Sequence, residues 1–453
     1  MKEVPMRTKY SLVAASMVGV IAMLTGAVPA SSPKTLTARQ RHMVSYRYPA
    51  YHKHVTITFW SWVPGIQKAV NAFERAYPTI RVRYRNVGAG GPEYEKLLTT
   101  IKARVGAPDV VQLPYSELST IAATGGLLNL AKYGAIAYKK DFEPWSWGLV
   151  SMANSVYGIP QDAGPMALAY NTTIFKKYHL SVPRTWAMFE QDAKVLHQKA
   201  PALDFNIQFN STDQSLYKGL AWQLNGHVAK VIHGRWHFTV NTTPWKRVMS
   251  MVQTLTAKGW VPNNVTSTIQ TDRLYAQNKV ATVIAAAWEP LLLQQEAPKD
   301  AGKWRIVALP QWNLGHVASG DWGGSSDAIT TQTKHPHASM IFATWINTNP
   351  KAIALDWTNG GLYPADIAGT RLPALSEAWP YYGRQKIGTV YRQMSAAVDF
   401  RYNYPPVMGY WADQFGTLLS HAFAKHGSPV AVLNPLNSQL TNYARTSGLL
   451  SAP

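Results

Sequence analysis

Between Val156 and Asn171 the chain reads Val-Tyr-Gly-Ile-Pro-Gln-Asp-Ala-Gly-Pro-Met-Ala-Leu-Ala-Tyr-Asn. Gly158, Pro160, Gly164 and Pro165 punctuate two short apolar runs, so the stretch predicts strand, bend and strand and excludes a continuous helix. On its N-terminal side apolar runs alternate with amphipathic ones. On its C-terminal side the alternation restarts with a helix at 174–177. A bend of this kind between two α/β units is where one lobe hands the chain to another, and Asp162 places a carboxylate in it.

The first unit begins at Val55-Thr-Ile-Thr-Phe-Trp60, a β-branched and aromatic run ended by Pro64-Gly65. Ile66, Ala69, Val70, Phe73 and Tyr77 then mark one face of a helix stopped by Pro78, and Ile80, Val82 and Tyr84 alternate with arginines in a second strand. This βαβ unit predicts a parallel sheet with crossover helices. A helix face at Tyr94, Leu97, Leu98 and Ile101 leads to a strand at 107–113. Past the bend, Thr185 is the expected N-cap of a helix burying Trp186, Phe189, Ala193 and Leu196, so Trp186 is assigned to the core. An apolar strand over 278–288 ends at Trp288. Further crossings between the units are expected at 304–310, with a return over 320–329, and near 354–364.

Several of these segments resemble extracellular solute-binding proteins of family 1, the maltose-binding-protein-like sugar-binding components of ABC importers. The resemblance rests on Tyr157-Gly-Ile-Pro160 with Asp162, and on Tyr170-Asn171 before Phe175-Lys-Lys177. It extends to Tyr77-Pro78, Pro108-Asp-Val-Val111, Gly125-Gly-Leu-Leu-Asn-Leu130 and Pro183-Arg-Thr-Trp-Ala-Met-Phe189, and covers nearly all of 55–445. It implies an α/β, two-lobed, type II periplasmic-binding-protein-like fold, each lobe a sheet flanked by helices and joined by hinge crossovers. The expected division is 55–161 with 312–355 for the first lobe and 162–311 with 356–453 for the second. The implied function is capture of a sugar or oligosaccharide between the lobes and delivery to an ABC-importer permease. No cofactor or metal is called for, and a monomer is expected.

Residues 1–30 combine Lys2, Arg7 and Lys9, the apolar run Leu12–Leu24 and small residues up to Ala30, the pattern of a secretory signal cut after Ala27 or Ala30. Residues 31–54 are polar, basic and aperiodic, an expected linker. The chain has no cysteine, which excludes thiolate catalysis and an N-terminal lipid anchor, so export without lipid to an extracytoplasmic, cell-surface setting is expected. The net charge is +20, but the basic residues are scattered and only 24 residues are acidic, which argues for a surface suited to an acidic or anionic exterior rather than for nucleic-acid binding.

Nucleophile-elbow, zinc-protease, P-loop and dinucleotide fingerprints are all missing. The alternatives carried beside the importer reading are a secreted carbohydrate-active hydrolase, for which Asp162 and Glu289 supply a carboxylate pair, and a cell-surface binder of anionic polymer. The aromatic content, 17 Trp and 23 Tyr, favours sugar. An indole covers the apolar face of a sugar ring while Asp, Asn and Gln take its hydroxyls. Side chains at the carboxyl ends of strands face the ligand crevice of an open α/β sheet. Trp62, Trp322 with Gly323, and Gln112 with Tyr115 are candidates on that ground. Asp162 is expected either to contact ligand or to brace the bend. Asp213 and Gln214 lie in a polar loop, Tyr363 in Gly360-Gly-Leu-Tyr-Pro, and Tyr410-Trp411 after a Pro-Pro bend. By the resemblance, Trp288 and Trp411 occupy positions that stack on sugar.

Overall fold

The structure is a computed structural model that describes residues 48–451 apart from 89 and 153. The expected signal segment (1–30) and the expected linker up to residue 47 lie outside the described residues.

Strand β1 (Val55–Trp60) pairs in parallel with β2 (Ile80–Arg85), Val55 opposite Ile80, and helix α1 (Gln67–Ala76) makes the crossover. The apolar stripe read from the sequence does the burying: Ala69, Val70 and Phe73 of α1 are buried, and Phe73 meets Phe342 and Trp345 edge-on. Strand β3 (Val110–Pro114) lies parallel to β1 on its other side and runs directly into helix α2 (Tyr115–Ala123). The chain leaves this sheet through β4 (Gly158–Pro160), bends at 161–165, and enters a second sheet as β5 (Met166–Asn171). Strand, bend and strand are found where they were expected.

The second unit contributes helices α3 (Gln214–Trp222), α4 (Thr243–Ala257) and α5 (Thr268–Ala276), then β6 (Thr282–Ala286), helix α6 (Glu289–Glu296) and β7 (Trp304–Ala308). Thr185 caps the helix Trp186–Lys199 by accepting from Met188 N at 3.2 Å, and Trp186 is buried. Strand β8 (Ser325–Ile329) returns to the first sheet, giving the order β2-β1-β3-β8-β4. Helices α7 (Pro336–Thr348) and α8 (Pro350–Gly360) pack on that side, α8 against α1. The chain then passes to α9 (Ile387–Ser395) against β5 and β7, and to α10 (Met408–Ala424), which touches both α2 and α3.

The second sheet, in the order β6-β5-β7, is antiparallel throughout, unlike the parallel β2-β1-β3 run of the first, with Leu168 of β5 facing Ile284 and Val307. A strand buried on both faces carries the same unbroken apolar run in either orientation, so its residues do not report direction. The boundary expected at 355/356 falls inside α8. The chain turns only at Gly361, at φ 69°, where glycine tolerates the left-handed conformation. Finally, Tyr410 and Trp411 lie inside α10 rather than at a bend.

The two units meet tightly where the return segment crosses α3. A Cβ at Gly320 would sit 1.8 Å from the Gly219 carbonyl oxygen, a distance no side chain can occupy. Gly320→Ala is therefore expected to destabilise the protein by about 1–3 kcal/mol or more, through forced backbone displacement. Urea denaturation measures this, and an unchanged midpoint would show that the crossing relaxes freely.

Candidate functional site

The carboxyl ends of β1, β3 and β6 open onto one cavity of about 390 Å³ between the two sheets. Trp62 follows β1, Gln112 and Pro114 end β3, Trp288 follows β6, and the return segment adds Trp322, Gly323, Gly324 and Ser325. Asp162 enters from the hinge, and Asp213, Ser215 and Lys218 from the start of α3. Seven residues picked from the sequence thus converge on one cleft: Trp62, Gln112, Asp162, Asp213, Trp288, Trp322 and Gly323.

Each of these side chains has an identifiable local support. Gln112 is fully buried. Its Oε1 accepts from Ser61 Oγ at 2.6 Å and Trp62 N at 3.3 Å, while its Nε2 has no partner among the described residues. That leaves a buried donor at the cleft wall, costly unless something completes it. Asp162 accepts from Ser325 N at 2.7 Å through Oδ1, and its backbone oxygen accepts from Tyr115 Oη at 2.9 Å, so it braces the hinge as well as lining the cleft. Burial raises its carboxyl from 3.8 to about 7, against the hydrogen bonds from Ser325. Asp213 caps α3, and both its oxygens accept from Trp322 Nε1, at 3.2 and 3.1 Å, which fixes that indole in the wall. Trp288 donates from Nε1 to Glu289 Oε1 at 3.1 Å and lies over the hinge glycines. A Cβ at Gly164 would come within 2.5 Å of its ring.

Lys218 was not picked out from the sequence. It is 1% exposed, lines the cleft, donates to Tyr404 Oη, and holds its ammonium 4.7 Å from the Tyr404 ring centroid. Burial lowers it to about 8, with Asp321 and Asp213 pulling the other way. Its signal was a lysine within the apolar run Leu216–Trp222, where a core position would carry an aliphatic residue.

The other picks are placed elsewhere. Tyr115 is buried under the hinge, bonded to Asp162 rather than facing the cleft. Gln214 donates to Ser211 O at 2.8 Å and lines a separate hollow beside Asp413 and Gly416, because the first turn of α3 points it away from Asp213. Tyr363 is 1% exposed and packs edge-on against Trp357. Tyr410 stacks on Tyr443 with centroids 4.0 Å apart, outside the cleft. Trp411 is 2% exposed and packs on Trp245 and Phe415. Helical spacing explains the last correction: Met408, Trp411, Phe415 and Leu419 form one stripe, and all four are buried. Glu289 stands behind Trp288 and faces a neighbouring cavity.

The model of the bacterial extracellular solute-binding protein family matches residues 60–353. Among curated relatives, the chain is 20% identical over 278 residues to an arabinooligosaccharide-binding protein of Halalkalibacterium halodurans, covering 60% of this chain and 61% of that one. It is 23% identical over 297 residues to a lactose-binding protein of Rhizobium radiobacter, covering 60% and 65%. The match therefore spans somewhat less than two thirds of either relative. Among solved structures, the ABC transporter-associated binding protein of B. animalis subsp. lactis, in complex with β-1,6-galactobiose, superposes with a TM-score of 0.78 at 25% identity, over 88% of this chain and 99% of that one. The galacto-N-biose/lacto-N-biose I-binding protein of Bifidobacterium longum shares the fold at the same TM-score and 24% identity, over 89% and 100%. Among the described residues no helix is long and apolar enough to cross a membrane. With its two sheets, its hinge crossings and the matched region, the chain has the two-lobed type II periplasmic-binding-protein fold and belongs to the bacterial extracellular solute-binding protein family.

Proposed function

We propose that this protein is the extracytoplasmic substrate-binding component of an ABC importer, and that it captures a sugar or oligosaccharide in the cleft and presents it to a membrane permease. The observation that carries the reading is the cleft wall itself. Three indoles, Trp62, Trp288 and Trp322, stand beside hydrogen-bonding groups with unused capacity, the Gln112 amide and the Lys218 ammonium. Apolar faces with convergent polar atoms match a sugar ring and its hydroxyls. The relatives named for arabinooligosaccharide and lactose, and the neighbour holding a galactobiose, support the same ligand class.

The protein acts by binding alone, as an exported monomer, and releases its ligand chemically unchanged. Asp162 and Glu289 do not act as a hydrolytic pair in this reading. The former is tied to the hinge backbone and the latter to Trp288. The lobes, which we place at 55–161 with 325–360 and at 166–308 with the C-terminal region, close by rotation about the bend at 161–165 and the two later crossings.

A thermal-shift screen against mono- to tetrasaccharides tests the ligand class, because a ligand that binds only the folded state raises the melting temperature. Small-angle scattering then tests closure. The expected result is a melting shift with at least one saccharide and a smaller radius of gyration at saturation. No shift across the panel, or recovery of a cleaved sugar, would overturn the reading.

A further inference from the structure

Behind Trp322 the cleft has a neighbour. A second cavity of about 310 Å³ lies among side chains of the second unit, and Asp213, Leu292 and Trp322 belong to the walls of both. Its remaining walls come from the loop at 207–212, the start and one face of α5, and the first and last turns of α6. Two polar side chains there are more than nine-tenths buried without completing their hydrogen bonds. Tyr275 is 3% exposed, and its hydroxyl has no partner among the described residues. Asn210 is 8% exposed. Its Oδ1 accepts from Thr212 N at 2.9 Å and Thr212 Oγ1 at 2.7 Å, while its Nδ2 donates to nothing among the described residues. Neither the Tyr275 hydroxyl nor the Asn210 amide nitrogen is sealed away from the cavity, so each keeps a donor free for an occupant.

The sign of the cavity narrows that occupant. Glu289 and Glu296 line it together with Asp213, and no lysine, arginine or histidine does. Burial, reinforced by neighbouring carboxylates, raises Glu289 to about 8 and Glu296 to about 7, so near neutral pH they offer hydroxyl donors as well as acceptors. An anionic group entering it would leave water with no lysine, arginine or histidine on the walls to pair with. A ring bearing hydroxyls finds donors and acceptors on every side.

We propose that this second cavity is a further sugar subsite, which takes a neutral ring of the same saccharide chain beyond Trp322 and rejects uronic-acid rings. The proposal rests on the carbohydrate reading above and adds ligand length and charge to it. Trp322, held by Asp213, is the partition between the two cavities, and the chain passes only if that indole turns aside.

The test is calorimetric titration of mono- to tetrasaccharides from α-glucan, β-galactan, arabinan and xylan series, with the wild type and two variants. Thr271→Phe fills the cavity from α5, and Tyr275→Phe removes only the orphan hydroxyl. For the wild type, affinity should step up by roughly tenfold or more between two consecutive lengths of the bound series. Thr271→Phe should abolish that step, and Tyr275→Phe should reduce it by roughly 3- to 10-fold, as expected for one hydrogen bond. Both variants should leave the shorter ligand's affinity unchanged, and a chain of the same length ending in a uronic acid should lack the step. Saccharide binding with no step, or with the same step in Thr271→Phe or in the uronic-acid chain, overturns this proposal and leaves the importer reading standing. Failure of every saccharide to bind overturns both.

Discussion

Lowering the pH from about 8 to about 5 should raise the melting temperature of the ligand-free protein by about 5 °C. Three carboxyls are shielded from water, Asp162 at the hinge and Asp327 in β8 fully buried, and Glu289 on the wall of the second cavity less completely. Burial raises Asp162 from 3.8 to about 7, Asp327 from 3.8 to about 7, and Glu289 from 4.5 to about 8. Hydrogen bonds offset this only in part. Asp327 Oδ2 accepts from Asn347 Nδ2 at 2.7 Å, but its Oδ1 has no partner among the described residues. Each group binds its proton more tightly in the fold than in the unfolded chain, so folding takes up protons between the two values. The stabilisation is fully present below the unfolded pKa and is lost as pH rises through the folded one. Between pH 8 and 5 each contributes roughly 2–3 kcal/mol. Halving their total for relaxation around buried charge leaves about 4 kcal/mol.

Two effects oppose the trend. Burial lowers His227 from 6.5 to about 4, which costs stability as pH falls through that window, and the net charge of +20 grows as exposed carboxylates protonate. The shift should survive both. Scanning fluorimetry at fixed ionic strength measures it, and Asp327→Asn, which cannot ionise, should be stabilised at pH 8 and flatten the slope. A stability maximum near neutral pH would refute this account and, with it, the acidic exterior suggested by the scarcity of acidic residues.

The second large effect separates two tryptophans that look alike in the sequence. Trp288 is only partly buried, stands in the cleft, and rests on backbone at Gly164 and Gly323. Covering a sugar ring with its indole should be worth roughly 1.5–3 kcal/mol, so Trp288→Ala should weaken saccharide binding by about 10- to 100-fold. The melting temperature should change little. Trp411 is packed between Trp245 and Phe415, and Trp411→Ala should cost about 3–5 kcal/mol of stability whether or not ligand is present. Calorimetric titration with ligand-free melting of both variants distinguishes the roles. Retained affinity in Trp288→Ala would remove the strongest residue from the proposed site.

Local chemistry alone determined much of this protein. Glycines and prolines mark the hinge at 158–165, and the spacing of Ala69, Val70 and Phe73 and of Trp186, Phe189 and Leu196 defines helices whose apolar stripes are buried as read. Strand ends were equally legible, which is why Trp62, Gln112 and Trp288 could be placed at one crevice before any contact was known. Tertiary structure decided what depends on neighbours distant in the chain. The direction of β6 and β7 against β5 leaves no trace in a strand apolar on both faces. A Pro-Pro pair upstream of Trp411 reads as a bend, while its helical stripe faces Trp245, more than 160 residues away. Lys218 and Tyr404 meet only because α3 and the segment before α10 converge on the cleft. A side chain's spacing records its own element, whereas its exposure is fixed by what packs against that element, and in this fold the packing partners come from both halves of the chain.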